Sequence, residues 1–333
     1  MFYEMVDYLF DMFDIHATGE NVLKSIEICA GAGGQALGLE QAGFDHTALV
    51  EIEKPACETL RANRPEWNVI EGDVHEFSAA PFKGTIDLLA GGVPCPPFSV
   101  AGKQLGSDDE RDLFPEALRL VRECSPRAVM IENVRGIFYP KFSEYREMIL
   151  GELNKMGYKT WWQLVQASDY GVSQLRPRAI LVGIKEPWAS HFVWPQPNRE
   201  SAPTVGELLH DEMAANGWGG ADAWAENADK IAPTLVGGSK KHGGADLGPT
   251  RAKKAWAEVG VDGRGIVDQP PTEDFDGEMP RLTVKMAALV QGFPKDWDFS
   301  GRKTAAYRQV GNAFPPPVAK AVGTAIKEAL NAE

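Results

Sequence analysis

The sequence of 333 residues lacks several features that would place it in common classes of protein. It has no run of 18 uncharged apolar residues, so we expect no membrane span. The apolar N-terminal stretch carries Glu4, Asp7 and Asp11 and has no basic n-region, which argues against a signal peptide. The four cysteines form neither a CxxC pair nor a secreted disulfide pattern, so we expect reduced thiols and a cytoplasmic protein.

An excess of positive charge is also missing. The formal net charge of −13 at pH 7 counts against a nucleic-acid partner, because phosphate contacts need Lys and Arg. The charge is unevenly distributed, however, since residues 234–265 contain 6 basic residues against 3 acidic ones. A nucleic-acid partner is therefore not excluded, and this segment is where we expect its contacts.

The residues that are present predict an α/β fold. Apolar residues make up 44% of the chain, enough for a sizeable core. The first half alternates short apolar runs with amphipathic stretches, which predicts strands at 25–29, 46–51, 68–71, 86–90 and 128–132 and helices at 35–42, 55–63, 113–123 and 145–156. This rhythm predicts a doubly wound, mostly parallel sheet with helices on both faces.

The sequence pattern changes after residue 187. Residues 188–278 have many Gly and Pro, scattered tryptophans and little sustained periodicity, which predicts a small irregular domain or a long insertion. The tryptophans argue against a disordered linker. Helical patterning returns at 282–290 and 318–330. We therefore expect an N-terminal extension at 1–22, either a short packed helix or a partner-binding stretch, then divisions at 23–187, 188–278 and 279–333.

A glycine-rich turn, Cys29-Ala30-Gly31-Ala32-Gly33-Gly34, lies between the first predicted strand and helix. Glycines there let the backbone approach a ligand closely. Glu51 follows Gly31 by 20 residues at the end of the second strand, where it can accept hydrogen bonds from ribose hydroxyls. Asp73 follows the third strand and can accept from an adenine amino group. The turn is not GxGxxG and no Walker Lys follows, which favours a nucleoside without phosphates over a dinucleotide.

A cysteine and three charged side chains form a second constellation. Cys95 lies in GGVPCPPFS, just past the fourth strand, where prolines hold it on a rigid loop; the alternative is a packed core thiol. Glu132 ends the fifth strand at the same edge, and in a dry pocket its carboxyl can protonate a ring nitrogen. Arg176 and Arg178 lie on one face if extended and can bind a phosphate or a pyrimidine edge, although each alone could equally be a surface charge.

From about residue 25 to 330 the chain resembles the bacterial-type DNA (cytosine-5)-methyltransferases. The family's motifs occur in order, namely the glycine loop at 29–34, the acidic residues 51 and 73, PC at 94–95, ENV at 132–134, QxRxR at 174–178, RLT at 281–283 with QGFP at 291–294, and QVGNA at 309–313. The resemblance implies a Rossmann-like S-adenosylmethionine-dependent methyltransferase. Residues 23–187 and 279–333 would then be the catalytic domain, and 188–278 the target-recognition region.

The resemblance also implies a mechanism, in which Cys95 adds to carbon 6 of a flipped-out cytosine in a specific duplex DNA sequence and Glu132 acts at N3. The catalytic residues implied are Cys95, Glu132, Arg176 and Arg178. The implied S-adenosylmethionine contacts are Cys29, Ala30, Gly31, Gly33, Gly34, Glu51, Ile52, Asp73, Val74, Pro94, Leu113, Asn312 and Ala313. The expected DNA contacts are Ser99, Gln174, Thr234, Lys240, Lys241, His242, Arg251, Lys253 and Lys254. No metal is expected.

Duplex DNA is the partner that the resemblance implies, with a separately acting restriction endonuclease as a second candidate, a monomeric state and a bacterial or phage origin. An RNA target is the nearest alternative, since a few relatives with this motif order methylate transfer RNA. A non-catalytic DNA-binding protein on the same scaffold is a second alternative. An amino-methylating DNA enzyme is a third, but it would need an Asp/Asn/Ser-Pro-Pro-aromatic element where PCPPF stands.

Three positions depart from the family pattern. Cys29 replaces the usual aromatic residue, Pro96 replaces a common Gln, and Met286 stands where a Glu is common. None of these removes an essential chemical group. Pro96 removes a backbone N–H and a side-chain amide beside the flipped base. The sequence therefore does not identify the groups that contact the base on that side of the pocket.

Overall fold

A computed structural model describes residues 22–94, 112–198, 202–237 and 244–332. Within these ranges the chain forms a seven-stranded sheet and ten α-helices. The strands are Leu23–Ile28 (β1), Phe44–Glu51 (β2), Val69–Glu71 (β3), Leu88–Gly92 (β4), Ala128–Val134 (β5), Tyr158–Gln166 (β6) and Pro177–Lys185 (β7). The helices are Gly34–Ala42 (α1), Lys54–Asn63 (α2), Phe114–Cys124 (α3), Ser143–Lys155 (α4), Val205–Ala214 (α5), Ala221–Asn227 (α6), Thr250–Ala257 (α7), Val284–Gln291 (α8), Lys303–Asn312 (α9) and Pro316–Asn331 (α10).

The strand order is β3-β2-β1-β4-β5-β7-β6. Strands β1 to β5 pair in parallel, whereas β7 runs antiparallel to both β5 and β6. The predicted doubly wound, mostly parallel sheet is therefore confirmed. The order of connection reverses between β1 and β4, and such a point opens a crevice at the carboxyl ends of the two strands.

Helices bury both faces of the sheet. On one face α1 and α10 pack together and cover the strands with apolar side chains such as Leu39, Val322 and Ile326. On the other face α3 and α4 do the same with residues that include Leu120 and Ile149. Because parallel strands are buried on both faces, β1, β2, β4 and β5 are nearly continuous runs of buried residues.

The antiparallel pair β6 and β7 was not predicted. Strand β6 is the last strand of the sheet and mixes aromatic and polar residues of intermediate burial, so neither an apolar run nor a regular alternation marks it. Strand β7 is an apolar run buried between β5 and β6. Short apolar runs of this kind do not by themselves separate a strand from a buried helix segment.

The segment of residues 188–278 is more regular than its sequence suggests, since it contains helices α5, α6 and α7. Trp224 and Trp256 are buried, and they share one hydrophobic cluster with Met286 of α8 and Tyr307 of α9. The segment is therefore packed against the helices that follow it in sequence, and the boundary at 278 crosses a continuous cluster. The division at that residue stays a prediction.

Helix α5 had a sequence signal that could have identified it. The Thr204 hydroxyl accepts a hydrogen bond from the backbone N–H of Glu207, and the Glu207 carboxylate accepts one from the backbone N–H of Thr204. This is the reciprocal cap that a Thr-x-x-Glu sequence predicts. Helix α8 has the same arrangement, in which the Met286 sulfur accepts from the N–H of Thr283 in place of a carboxylate.

Three cysteines in the described ranges, Cys29, Cys57 and Cys124, are free thiols. No helix among the described residues is long and apolar enough to cross a membrane. The predicted N-terminal extension lies outside the described residues up to residue 21.

Candidate active site

The glycine-rich turn joins β1 to α1 at the carboxyl edge of the sheet. Cys29, Gly31 and Gly33 all have positive φ angles of 53°, 55° and 87°. A Cβ on Gly34 would lie 2.1 Å from the carbonyl oxygen of Phe314, so only glycine fits there. A left-handed conformation at a non-glycine residue such as Cys29 costs free energy and is often kept at ligand sites.

The carboxylate of Glu51, at the end of β2, holds this turn in place. One oxygen accepts from the N–H of Gly31 at 2.7 Å and the other from the N–H of Glu53 at 2.7 Å. The side chain is buried, and this burial raises the pKa of Glu51 above its ordinary value against the effect of those hydrogen bonds. Asp73, after β3, is partly buried and accepts from both the backbone N–H and the ring Nδ1 of His75, which lowers its pKa.

Two adjoining cavities lie around the turn and share Cys29, Glu51 and Gly92. One has a volume of about 310 Å³, and its lining includes the predicted cofactor residues Cys29, Glu51, Ile52, Asp73, Val74, Pro94 and Leu113. The other has a volume of about 230 Å³, and its lining includes the predicted residues Cys29, Ala30, Gly31, Glu51, Asn312 and Ala313. Of the predicted cofactor contacts, Gly33 and Gly34 line neither cavity. Their missing side chains make room for Leu60 and Phe314 instead.

Sequence reasoning missed two polar residues in the second cavity. Glu27, in β1, is 0% exposed, and neither carboxyl oxygen has a hydrogen-bond partner among the described residues. The amide of Gln35, in α1, is also buried and has no partner within the described ranges. Burial, and next the charge of Glu51, raise the pKa of Glu27 well above its usual range. A charged residue inside an otherwise apolar predicted strand was the signal for Glu27.

The unpartnered atoms of Glu27 and Gln35 belong to residues that line a cavity, where a bound group can supply the missing hydrogen bonds. A carboxyl and an amide at one end of the site suit the ammonium and carboxylate of an amino acid. Glu51, which lines both cavities, and Asp73, which lines only the larger one, are acceptors suited to a ribose and an adenine amino group. The residues present therefore fit a nucleoside joined to an amino acid, which is the composition of S-adenosylmethionine.

Glu132 lies beside these groups, near the end of β5. It pairs across the sheet with Gly92 of β4, and a Cβ on Gly92 would lie 3.2 Å from Glu132 Oε2. Its side chain is 13% exposed and lines the second cavity. Burial raises the pKa of Glu132, although the positive charges of Arg178 and Arg176 act in the opposite direction. This carboxyl can therefore hold a proton at a higher pH than an ordinary glutamic acid.

Arg178 contacts Glu132 directly. Its Nε lies 2.7 Å from Glu132 Oε1, and one Nη donates to the carbonyl oxygen of Pro177. Antiparallel pairing of β5 with β7 places Arg178 opposite Val134, two residues from Glu132 and so on the same face. The structure thus brings two of the predicted catalytic residues together at the cavity.

Arg176 has a different environment from the one predicted. It is 1% exposed, and its guanidinium donates to the carbonyl oxygens of Leu235, Gly311 and Ala313. Because the side chain is almost fully buried and both of its Nη atoms are bonded to protein groups, its assignment as a catalytic residue is corrected to a buried structural contact. A QxRxR spacing alone cannot separate these two roles, because it fixes the face of a strand and not what covers that face.

Gln174 and Thr234 were predicted to contact DNA. The complete burial of Gln174 does not fit that role, whereas Thr234 is partly exposed and its DNA contact stays a prediction. Gln174 is 0% exposed and its amide bonds to Gln291 and to the N–H of Leu235. The hydroxyl of Thr234 donates to the carbonyl oxygen of Leu175. Both side chains bind protein groups where the 188–278 segment meets the loop before β7.

Several predicted residues lie outside the described ranges, namely Cys95, Ser99, Lys240, Lys241 and His242. Arg251 and Lys254 are exposed on helix α7 and form no ion pair with described residues. Lys253 differs, since its ammonium lies 2.8 Å from the carboxylate of Asp246. Of the described basic candidates, Arg251 and Lys254 are therefore the ones placed to contact an outside partner.

The fold and the site are those of an α/β enzyme with a ligand crevice at the switch point of its sheet. A family model described as C-5 cytosine-specific DNA methylase matches residues 23–328. The chain therefore belongs to that family, and it is a DNA (cytosine-5)-methyltransferase.

Individual relatives agree with this assignment. The chain is 58% identical over 312 residues to the Type II methyltransferase M.NgoMIV of Neisseria gonorrhoeae, covering 93% of this chain and 98% of that protein. It is 57% identical over 315 residues to the Type II methyltransferase M.NaeI of Lentzea aerocolonigenes, covering 93% of this chain and 76% of that protein. The structure of a DNA modification methyltransferase encoded within an E. coli prophage is similar with a TM-score of 0.67 and 26% identity, covering 93% of this chain and all of that one.

Proposed function

We propose that this enzyme takes its methyl group from S-adenosylmethionine and transfers it to a flipped-out cytosine in a specific duplex DNA sequence, through a covalent adduct between Cys95 and carbon 6. The observation that carries the proposal is the position of Glu132. Its buried carboxyl lines the same cavity as the glycine-rich turn and adjoins Gly92, which is three residues before Cys95 in sequence.

The residues that would hold S-adenosylmethionine form two groups. Glu51 and Asp73 are placed to bind the ribose hydroxyls and the adenine amino group, in the cavity that also contains Ile52 and Leu113. Glu27 and Gln35 are placed to bind the amino-acid end. When bound, S-adenosylmethionine supplies an electrophilic methyl group.

The chain's own groups prepare cytosine to accept a methyl group at carbon 5, which is a poor nucleophile in the free base. The Cys95 thiolate forms a bond to carbon 6 while a proton from the Glu132 carboxyl goes to N3, so the electrons of the 5,6 double bond become available at carbon 5. After methylation, the carbon 5 proton is lost to a base, the bond from carbon 6 to sulfur breaks to release the Cys95 thiolate, and the N3 proton returns to the Glu132 carboxylate, which restores the aromatic ring and the resting enzyme.

Arg178 would contact both the Glu132 carboxyl and the flipped-out cytosine. Its bonds to Glu132 and to the carbonyl of Pro177 leave further N–H donors on the guanidinium, which suit the O2 of cytosine. The cytosine must leave the duplex to reach this cavity, because carbon 5 and carbon 6 are enclosed in the base stack.

The 188–278 segment would recognise the DNA sequence, with Arg251 and Lys254 of α7 contacting the phosphate backbone. Relatives that are 58% and 57% identical carry the name Type II methyltransferase, which supports a partner restriction endonuclease that acts on the same sequence. We further propose that the enzyme is a cytoplasmic monomer.

Transfer of tritium from labelled S-adenosylmethionine to duplex DNA and to transfer RNA tests the substrate. We expect incorporation into duplex DNA, and bisulfite sequencing of DNA from an expressing host should show one recurring sequence. Incorporation into transfer RNA and not into duplex DNA would show that the substrate is RNA and contradict the proposed DNA target.

The covalent step has its own test. A duplex with 5-fluorocytosine at the target has no carbon 5 proton to lose, so it should remain attached to the wild-type enzyme and not to Cys95→Ala. Full methyl transfer by Cys95→Ala would overturn the mechanism.

A further inference from the structure

Arg176 is the largest charged side chain buried in the described part of the molecule. One Nη donates to the carbonyl oxygen of Leu235 at 2.8 Å, and the other donates to those of Gly311 at 2.7 Å and Ala313 at 3.0 Å. Among the described residues no carboxylate forms an ion pair with it. The nearest acid in its electrostatic surroundings, Glu132, is already bonded to Arg178.

The three carbonyls belong to two parts of the chain with different proposed tasks. Leu235 belongs to the 188–278 segment, which we propose reads DNA. Gly311 and Ala313 flank Asn312, and Asn312 and Ala313 line the cavity proposed for the amino-acid end of the cofactor. Arg176 is thus bonded both to the 188–278 segment and to the backbone beside the cofactor cavity.

Two glutamines complete the same network. The Gln174 amide oxygen accepts from the N–H of Leu235 at 2.9 Å and from Arg176 at 3.3 Å, and its nitrogen donates to Gln291 at 2.6 Å. Gln291 in turn donates to the carbonyl oxygen of Ala313. Arg176, Gln174 and Gln291 are each no more than 1% exposed, so water cannot replace a bond that breaks.

The backbones of the two parts also touch. A Cβ on Gly311 would lie 2.4 Å from the Cα of Gly237, and a Cβ on Gly237 would lie 2.3 Å from Asn312 Oδ1. A side chain at either glycine would collide with the other part, so the two backbones are packed directly against each other.

Four of the five N–H donors of the Arg176 guanidinium are bonded, and only Nε has no partner among the described residues. Each further bond lost from a buried guanidinium is costly. If the Leu235 carbonyl moves away, Arg176 is left with a second unmet donor unless the end of α9 at Gly311–Ala313 moves too. The position of one part is therefore energetically tied to the position of the other, and a ligand that fixes one reduces the cost of fixing the second.

We infer that Arg176 is a positioning residue that couples DNA binding by the 188–278 segment to cofactor binding in the cavity lined by Asn312 and Ala313, at the end of α9. This inference rests on the proposed function, because it takes S-adenosylmethionine and duplex DNA as the two ligands. By thermodynamic linkage the coupling is reciprocal, so DNA tightens cofactor binding by the same factor as the cofactor tightens DNA binding.

The test measures the dissociation constant of S-adenosylhomocysteine by calorimetry, with and without a duplex that carries the sequence found by bisulfite sequencing. In the wild type, DNA should tighten binding by a factor within the usual range of about 5 to 150. In Arg176→Lys, which keeps the charge but not the two-pronged donor geometry, this factor should fall to about 2 or less. Binding of each ligand alone should persist.

Two further variants separate coupling from folding. Gly237→Ala disturbs the same contact from the other side and should lower the factor as well, so it decides the outcome if Arg176→Lys does not fold. Arg122→Lys, at a half-exposed ion pair with Glu152, is the matched control and should keep the wild-type factor.

A wild-type factor near 1, or a wild-type factor retained by both Arg176→Lys and Gly237→Ala, would overturn the inference. Failure of the wild type to bind S-adenosylhomocysteine at all would instead count against the proposed cofactor, so the two failures are distinguishable.

Discussion

The carboxyl edge of the sheet and the 188–278 segment differ in what the side chains of their buried polar residues are bonded to. At the sheet edge, Glu27 and Gln35 are buried without partners among the described residues, and they face a cavity. Where the 188–278 segment meets the catalytic core, many polar side chains bind protein groups, as in the bonds of Arg176 to Leu235 and of Thr234 to Leu175, although Arg176 Nε and Trp256 Nε1 have no partner among the described residues.

The difference indicates what each region does before a ligand arrives. Buried groups without partners are costly in the free protein and bind strongly when a matching ligand supplies the missing hydrogen bonds. Groups that already bond within the protein fix the relative positions of its parts. We therefore regard the sheet edge as the preformed binding site and the Arg176 network as the connection that holds the 188–278 segment against it.

The largest expected effect tests whether the sheet edge also carries the chemistry. Glu132→Gln keeps the size of the side chain and removes its transferable proton, so methyl transfer should fall by about 10²- to 10⁴-fold. In the wild type, burial raises the pKa of Glu132, and only the protonated form can donate. Activity that depends on this acid should therefore fall as the pH rises through that pKa, and the profile of kcat against pH measures it.

Binding of S-adenosylhomocysteine is the control for Glu132→Gln and should change little. A variant that retains the wild-type rate and the wild-type pH profile would remove Glu132 from the mechanism.

The second prediction compares two glycines of the same turn. Gly34→Ala places a Cβ 2.1 Å from the carbonyl oxygen of Phe314 and should destabilise the fold by about 3 kcal/mol. Gly31→Ala meets nothing within 4 Å and costs only its left-handed conformation, about 1 kcal/mol. Denaturant unfolding measures both variants, and equal losses of stability would show that the close contact at Gly34 is not what requires glycine.

The third prediction concerns the buried carboxyl of Glu27, which has no hydrogen-bond partner among the described residues. Glu27→Gln should weaken S-adenosylhomocysteine binding by about tenfold, because a charge-assisted hydrogen bond to the ammonium is lost. Calorimetry measures the loss, with 5′-methylthioadenosine, which lacks the amino-acid end, as the control ligand. If both ligands lost affinity equally, Glu27 would not contact that end.

Glu27 should also affect stability in a pH-dependent way. Its pKa is raised in the folded protein, so between the unfolded and the folded pKa the folded state binds more protons. The free energy of unfolding contributed by Glu27 therefore falls as the pH rises through that window. Glu27→Gln should flatten this decline, and the midpoint of urea unfolding at several pH values measures it. An unchanged slope would contradict the assignment.

Much of the site at the sheet edge was predictable, because the position of a residue at the end of a predicted parallel strand also determines its place in the fold. A parallel strand ends in a turn at one edge, so Glu51, Asp73 and Glu132 could be assigned to that edge from strand positions alone. Glycines in the turn were expected to let the backbone approach a ligand closely, and two of them, Gly31 and Gly33, have positive φ. Glu27 was missed because a buried acid within an apolar strand looks like an exception to the pattern and not like a part of the site.

The buried network was not predictable from local pattern. Gln174 and Arg176 are polar residues of the QxRxR motif, and sequence spacing does not reveal that Leu235 bonds to both of them or that Gly311 bonds to Arg176. Such long-range contacts depend on how the 188–278 segment packs on α8 and α9. The helices of this segment are short, so their periodicity is weak, and only the Thr204 cap gave a local signal.

The smallest effect expected tests the outer surface of the 188–278 segment. Arg251→Ala with Lys254→Ala removes two exposed charges of α7, and duplex DNA binding should weaken by about 3- to 10-fold while the slope of log affinity against log salt falls by about 2. Lys155→Ala, on helix α4 with its ammonium beside Glu152, is the matched control and should leave the slope unchanged. If the α7 variant also keeps the wild-type slope, the phosphate contacts must come from elsewhere, and charge reversal of Lys240 and Lys241 is the next measurement. A changed slope with unchanged S-adenosylhomocysteine binding would place DNA attraction on α7 and cofactor binding on the sheet edge, so the two regions could then be altered independently.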